Sequence, residues 1–373
     1  MVADDKNAGA AGARPDGARA PEARAAVAGP PAQAPVRARV LEDPDSRGSL
    51  TLSCAPQLVG PRTTRDIMRN VLVAMAPVLV AATVIFGAGA LVTCVVAVAS
   101  SVLLEYLWCR LRGQRSTVGD LSAAVTGLLV AFNVPAGMPP YMVVIGCFVA
   151  IVMVKELFGG IGRNFANPAI VARIMLSVAF PAAMTAYPVP RVALSSMDAV
   201  SSATMLSPSA QRLPWLDMLL GTEMGVLGET SALAILAGLA ILLATRTISW
   251  HVPVTYLGCI FLLSAAMGLD PVAQVLSGGV MLGGVFMATD YTTCPVTARG
   301  KVVYALGMAL ITCLIRFWGN MNEGCAYSIL FMNLLVPYID ATCASRPLGA
   351  PRRGLLARVT GRARNGRGAE AHE

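Results

Sequence analysis

Polar and apolar positions are not mixed evenly along this chain. Residues 1–65 show no apolar periodicity, and residues 346–373 again lack it. Between them, apolar runs recur that are long enough to cross a bilayer, which takes roughly 20 residues per helix. The runs predict ten spans, at about 70–87, 89–108, 119–134, 141–158, 168–186, 226–245, 250–268, 271–290, 301–318 and 324–342. The third and fifth are short and interrupted by Gly and Pro. A polar interval of some forty residues, 187–225, divides the ten into five and five.

An odd number of spans per half makes the second half enter the membrane from the opposite side. That is the arithmetic of an inverted repeat. Loose internal similarity agrees with it: KELFGGIGRNFANPAIVARIML (155–176) and IRFWGNMNEGCAYSILFMNLL (315–335) both close an apolar run on a basic residue, pass through Gly and Asn, and resume an apolar run. The expected fold is therefore an all-α polytopic membrane protein, with about ten transmembrane helices in two inverted five-helix repeats and one longer extracytoplasmic loop. Its expected parts are a disordered cytoplasmic tail (1–65), a first repeat (66–186), the loop (187–225), a second repeat (226–345) and a basic cytoplasmic tail (346–373).

Composition supports this picture. Hydrophobic residues make up 55% of the chain and charged residues 13%, against about 25% charged in a soluble domain. The net charge of +8 is not a nucleic-acid footprint, because the basic residues flank the spans, where they set orientation. With the N-terminus inside, the inner segments hold ten Lys and Arg through Arg69, then Arg110, Arg112, Arg115, Arg163, Arg246, Arg299, Lys301 and seven arginines of the C-terminal tail. The 187–225 interval holds only Arg191 and Arg212. Both termini are expected in the cytoplasm and the long loop outside. The N-terminal tail has no apolar core of the kind a signal peptide needs, so it is expected to be retained.

Nine cysteines form no CxxC pair, and there are two histidines, His251 and His372. No metal site and no histidine-based chemistry is expected. No glycine fingerprint of the strand–turn–helix, dinucleotide-binding kind is present.

Polar groups inside apolar runs are costly and need a reason. In GGIGRNFANP (159–168) the glycines allow positive φ, Asn167 suits a helix N-cap and Pro168 the first turn. A re-entrant turn and a helix N-terminus aimed at a cofactor's anionic or carbonyl group are equally served by it. GETSALAILAG (228–238) brings Glu229, FMATDYTTCPVTARGK (286–301) brings Asp290, and GDLSAAVTGLLVAFNVPAGMPP (119–140) brings Asp120. Lys155, Glu156 and Asp340 close their spans. Any one of these charges alone reads as interfacial. Together, beside Gly breaks and Ser/Thr turns, they point to a buried site near the repeat interface.

DAVSSAT, GGIGRNFANPA, GETSALAILAG and FMATDYTTCPVT, in this order, resemble the RnfD component of the Rnf electron-transport complex. They resemble nearly as closely the NqrB component of the Na+-translocating NADH:quinone oxidoreductase, of the same family. The resemblance covers about residues 65–345, and MNLLVPYID (332–340) favours the Rnf branch. It implies flavin mononucleotide (FMN) joined through its phosphate to a threonine, at a motif of an acid, two residues and Ser/Thr-Gly-Ala-Thr. Here these positions are Asp198, Ser201, Ser202, Ala203 and the acceptor Thr204, with serine at 202 where the family has glycine.

A threonine hydroxyl is a poor nucleophile without a base. Attachment is therefore expected to need a separate flavin transferase, which an exposed loop would admit. The resemblance further implies electron transfer between ferredoxin, or another donor, and NAD. That transfer is coupled to Na+ or H+ movement, within a multi-subunit complex of the bacterial inner membrane, with membrane lipid around it and no activity expected of the isolated chain. A second, non-covalent flavin such as riboflavin is implied near the inner side, framed by the 159–168 and 286–297 turns. Asn164, Asn167 and Arg173 are expected contacts of a flavin ring or its phosphate, and Glu229 and Asp290 are expected to bind or gate the coupling cation. The competing expectation is a non-redox transporter or channel, an architecture that inverted repeats with broken helices also build.

Overall fold

The computed structural model describes residues 40–41, 50–51, 63–114, 116–188, 215–221, 225–229, 231–319 and 324–344. The chain divides into two units, residues 1–60 and 61–373. In the first, Val40–Leu41 pairs antiparallel with Leu50–Thr51. All secondary structure described in the second is helical.

The helices are α1 (Thr64–Phe86), α2 (Ala88–Leu111), α3 (Ser122–Phe132), α4 (Pro140–Phe148), α5 (Pro168–Ala179), α6 (Pro181–Thr185), α7 (Trp215–Leu220), α8 (Ala232–Ala244), α9 (His251–Ala266), α10 (Pro271–Leu276), α11 (Val280–Leu282), α12 (Ala298–Trp318) and α13 (Cys325–Cys343). α4 continues as a π-helix through Val149–Glu156, and α11 as a π-helix through Gly283–Met287. A single 3-10 turn, Val118–Asp120, precedes α3.

Among the described residues, four helices, α1, α2, α12 and α13, are long and apolar enough to cross a membrane; α3, α5, α8 and α9 are apolar but shorter. Large apolar side chains stand exposed on the long helices, among them Val73, Val80 and Val84 on α1, Leu310 and Leu314 on α12 and Phe331 and Leu334 on α13. Exposed apolar surface on this scale needs a non-aqueous neighbour. The architecture is that of a multi-pass membrane protein.

Local sequence sets the breaks. Thr63 and Asp66 form a capping box that starts α1. Asn167 caps α5, its side chain accepting from the Ala169 N–H at 3.0 Å, with Pro168 in the first turn. Both roles are those expected from the sequence. Gly159, Gly160 and Gly162 have φ of 109°, 86° and 89°, which lets the chain reverse tightly between the π-helix and α5. The 271–290 stretch is not one helix. It is α10, a break at Ser277–Gly279, then α11 and its π continuation, because Ser-Gly-Gly in mid-run gives the chain no helix propensity there.

Glycines also set the closest approaches. A Cβ on Gly127 of α3 would lie 2.7 Å from the Ala97 carbonyl of α2. One on Gly238 of α8 would lie 2.5 Å from the Ala74 carbonyl of α1. Small residues let apolar helices approach this closely where no water drives association.

Candidate functional site

Two neighbouring constellations hold the polar groups that the apolar runs carry. The first surrounds Lys155, whose side chain is 3% exposed on the π-helix after α4. Its Nζ donates to Glu105 Oε2 on α2 at 2.6 Å and to Ser122 Oγ at the start of α3 at 2.6 Å. Glu105 is completely buried and also accepts from Thr117 Oγ1 at 2.5 Å. Ser122 donates to Asp120 Oδ1 at 2.6 Å. Glu156 Oε1 lies 3.8 Å from the same ammonium and has no hydrogen-bond partner among the described residues. A π segment closes i→i+5 bonds and shifts the side-chain register from that of an α-helix, and it recurs at functional sites. Here it carries both charged residues into the interior.

The second constellation joins segments far apart in sequence. Arg173 on α5, 6% exposed, donates from Nη1 to Glu229 Oε1 at 2.7 Å and to Asn133 Oδ1 at 2.7 Å. Asn133 ends α3 and donates back to the Leu129 carbonyl at 2.6 Å. Asn167 donates to the Met287 carbonyl, at the end of the π-helix Gly283–Met287, at 3.1 Å. With its amide oriented to satisfy both ends, Asn333 of α13 accepts from the Asn167 N–H at 3.1 Å and donates to the Thr293 carbonyl at 3.2 Å.

Beside the first constellation opens a cavity of about 430 Å³, within the range of about 300–1,000 Å³ usual for small-molecule sites. Its apolar walls come from Ile67, Met68 and Val71 of α1, Val125 and Leu129 of α3, Leu242 of α8 and Phe286. Its polar side holds Lys155, Asn164, Asn167, Thr289 and Asp290. The Asn164 Oδ1 is buried without a hydrogen-bond partner among the described residues. Asp290 accepts from Thr292 Oγ1 at 2.9 Å and from Thr293 Oγ1 at 3.3 Å. It also lines a second cavity of about 220 Å³ with Ser249, Cys294 and Lys301. Tyr291, hydrogen-bonded to the Thr247 carbonyl, lines both.

The residues expected from the sequence therefore separate into groups. Asn164, Asn167 and Asp290 share the larger cavity, which residues of the 159–168 turn and the 286–292 part of the 286–297 turn line, the two turns expected to frame a ligand. Arg173 and Glu229 meet each other away from it. Asp198, Ser201, Ser202, Ala203 and Thr204 lie outside the described residues. Glu105 and Asn133 were not singled out in the sequence. A lone acid inside the predicted 89–108 run was the available signal for Glu105. Among the described residues, no group of three or more His, Cys, Asp or Glu side chains converges as a metal site would require.

An apolar helical body with a cavity between broken helices and buried, paired charges is that of a polytopic membrane protein. Residues 51–349 match the NQR2, RnfD, RnfE family, and the chain belongs to that family. It is 40% identical over 311 residues to the D component of the Na(+)-translocating ferredoxin:NAD(+) oxidoreductase complex of Acetobacterium woodii, covering 82% of this chain and 96% of that one. It is 36% identical over 310 residues to the D component of the proton-translocating ferredoxin:NAD(+) oxidoreductase complex of Clostridium ljungdahlii, covering 78% and 93%. It is 32% identical over 343 residues to the D component of the ion-translocating oxidoreductase complex of Vibrio cholerae, covering 80% and 99%. The family suggested by the four sequence motifs is the one found.

Proposed function

We propose that this chain is the membrane-embedded flavoprotein subunit of an ion-translocating oxidoreductase complex. It relays electrons between ferredoxin, or another donor, and NAD, and its turnover is coupled to Na+ or H+ transport. Membership of the family, with the corresponding components of such complexes as its relatives, is the observation that carries this reading. Ten spans in two inverted halves, both termini cytoplasmic and the 187–225 loop outside, complete the topology we infer. Positive-inside counting supports it.

Two flavins belong to the proposal. FMN is joined as a phosphoester to Thr204, within Asp198, Ser201, Ser202 and Ala203, by a separate flavin transferase acting on the outer loop. A second, non-covalent flavin such as riboflavin occupies the larger cavity. The residues there fit such a ligand: flat apolar walls end at Asn164, whose partnerless buried oxygen accepts from a ring N–H, and at Lys155 and Asn167, which offer donors. A flavin in this place would supply electron transfer in single steps, while the chain supplies position, a dry wall and local charge. Asp290, which lines both cavities, is the acid we place nearest a coupling cation.

The test is flavin content. Purified complex releases non-covalent flavin on denaturation and keeps a second, protein-bound fraction. Asn164→Ala together with Asn167→Ala lowers the released fraction several-fold and leaves the bound one unchanged. A released fraction unaffected by both substitutions contradicts the cavity assignment. Flux of a solute through the isolated chain, with no redox partner and no flavin, would instead favour the transporter reading.

A further inference from the structure

Arg173 and Glu229 line neither cavity, yet they form a short buried ion pair and sit where four segments meet. α3 has 11 residues and is therefore about 16 Å long, roughly half of a ~30 Å hydrocarbon layer. Its C-cap, Asn133, lies in the interior of the body, 1% exposed. Arg173 follows the α5 N-cap at Asn167 by six residues, about 9 Å further along the helix axis from the cavity. The chain before α8 is stitched to the end of α3: Leu227 N–H donates to the Val134 carbonyl at 3.2 Å and Gly228 N–H to the Phe132 carbonyl at 2.9 Å.

Glycine backbone packs closely against the pair and the end of α3. A Cβ at Gly279, which caps α11, would lie 2.6 Å from Glu229 Oε1 and 3.2 Å from Arg173 Nη1. A Cβ at Gly228 would lie 2.6 Å from Phe132 Cβ. Two helix ends, α3 and α11, thus close on each other with the ion pair between them and glycine backbone packed against it.

We propose that the Arg173–Glu229–Asn133 cluster is an electrostatic seal that bars cations from crossing the membrane between α3, α5, α8 and α11. This inference rests on the reading of the chain as part of an ion-translocating complex. A guanidinium stays charged at any pH a protein meets, so a fixed positive charge stands in the seam, and a fixed Arg is a barrier to cations in a narrow passage. Glu229 makes the burial of that charge tolerable, since an unpaired buried ion costs several kcal/mol. The pair together is neutral and does not attract a cation. The charge moved by the complex consequently crosses elsewhere than through this seam, and Glu229 serves the barrier, not the path.

The test uses the complete complex, purified through a tag on this chain and reconstituted in liposomes. Passive Na+ and H+ entry is measured without redox substrates, and ferredoxin:NAD oxidoreduction and redox-driven uptake are measured separately. Arg173→Met leaves Glu229 without its guanidinium in the seam. Passive cation entry should then rise by at least about tenfold, the factor given by ~1.4 kcal/mol off a barrier, with electron transfer retained. Glu229→Gln leaves the positive charge in place and stays tight, while the double variant Arg173→Met/Glu229→Gln, which also lacks that charge, still leaks, though less than Arg173→Met, whose unpaired Glu229 draws cations in.

An Arg173→Met complex that assembles and does not leak overturns the seal. So does a Glu229→Gln complex that transfers electrons normally but loses redox-driven uptake, because that outcome puts Glu229 on the path. Should Arg173→Met fail to assemble, Glu229→Gln alone decides, with tight vesicles and normal driven uptake supporting the seal. Wild-type complex without oxidoreductase activity would refute the proposed function and leave the leak comparison standing.

Discussion

At the scale of single residues, Lys155 and Glu105 form a buried ion pair with much at stake. Both are buried, 2.6 Å apart, with Ser122 and Thr117 completing their hydrogen bonds. Breaking a buried pair from one side costs about 3–5 kcal/mol, while removing both charges can be near neutral. Lys155→Met is therefore expected to lower the thermal unfolding midpoint in detergent sharply, and Lys155→Met with Glu105→Gln to recover most of the loss. Equal midpoints for the single and double variants would show that the pair is not coupled. This site was only half legible in the sequence. Lys155 and Glu156 close a predicted span and read as interfacial, because nothing in sequence spacing tells that a π-helix turns them inward. Asn167 was legible, since its cap role and Pro168 follow from local chemistry alone. Arg173 was reached only as an expected flavin contact through the family resemblance, and its partners lie 40 and 56 positions away in sequence, where no local rule pairs them.

At the scale of elements, close packing of apolar helices depends on a few glycines. Gly127→Ala puts a methyl group 2.7 Å from a backbone carbonyl of α2, where flexible side-chain relief is unattainable. Overpacking of this kind costs about 1–3 kcal/mol. Gly258→Ala, on α9, meets nothing within 4 Å and is expected to leave the unfolding midpoint unchanged or slightly raised, given alanine's better helix propensity. Unfolding scans of the two variants side by side check this, and equal loss in both would contradict the contact argument. The predicted spans were legible wherever an uninterrupted run exists, as at α1, α2, α12 and α13. The 271–290 run predicts a single span and is instead α10, a break, α11 and a π-helix. Mean hydropathy registers apolar content but not the Ser277–Gly279 break, which depends on backbone propensity and on the close approach of Glu229 to Gly279.

At the scale of the whole molecule, our proposal divides the labour between the membrane body and the 187–225 loop. The body provides a cavity bounded by Lys155, Asn164, Asn167 and Asp290, and in our proposal a sealed seam beyond it. The loop, in the same proposal, provides a tether for a redox group. Electrons and cations would then follow different routes, which a coupled complex requires if charge is not to leak. The loop was reached through the sequence motif alone, since DAVSSAT falls outside the described residues, and so it bears the central claim. Mass spectrometry of the peptide containing Thr204, from chain produced together with a flavin transferase, tests that claim most directly. The expected result is a mass increment of FMN less water on Thr204, absent from Thr204→Ala. An unmodified Thr204 peptide, from protein whose membrane complex is intact and active, would contradict it.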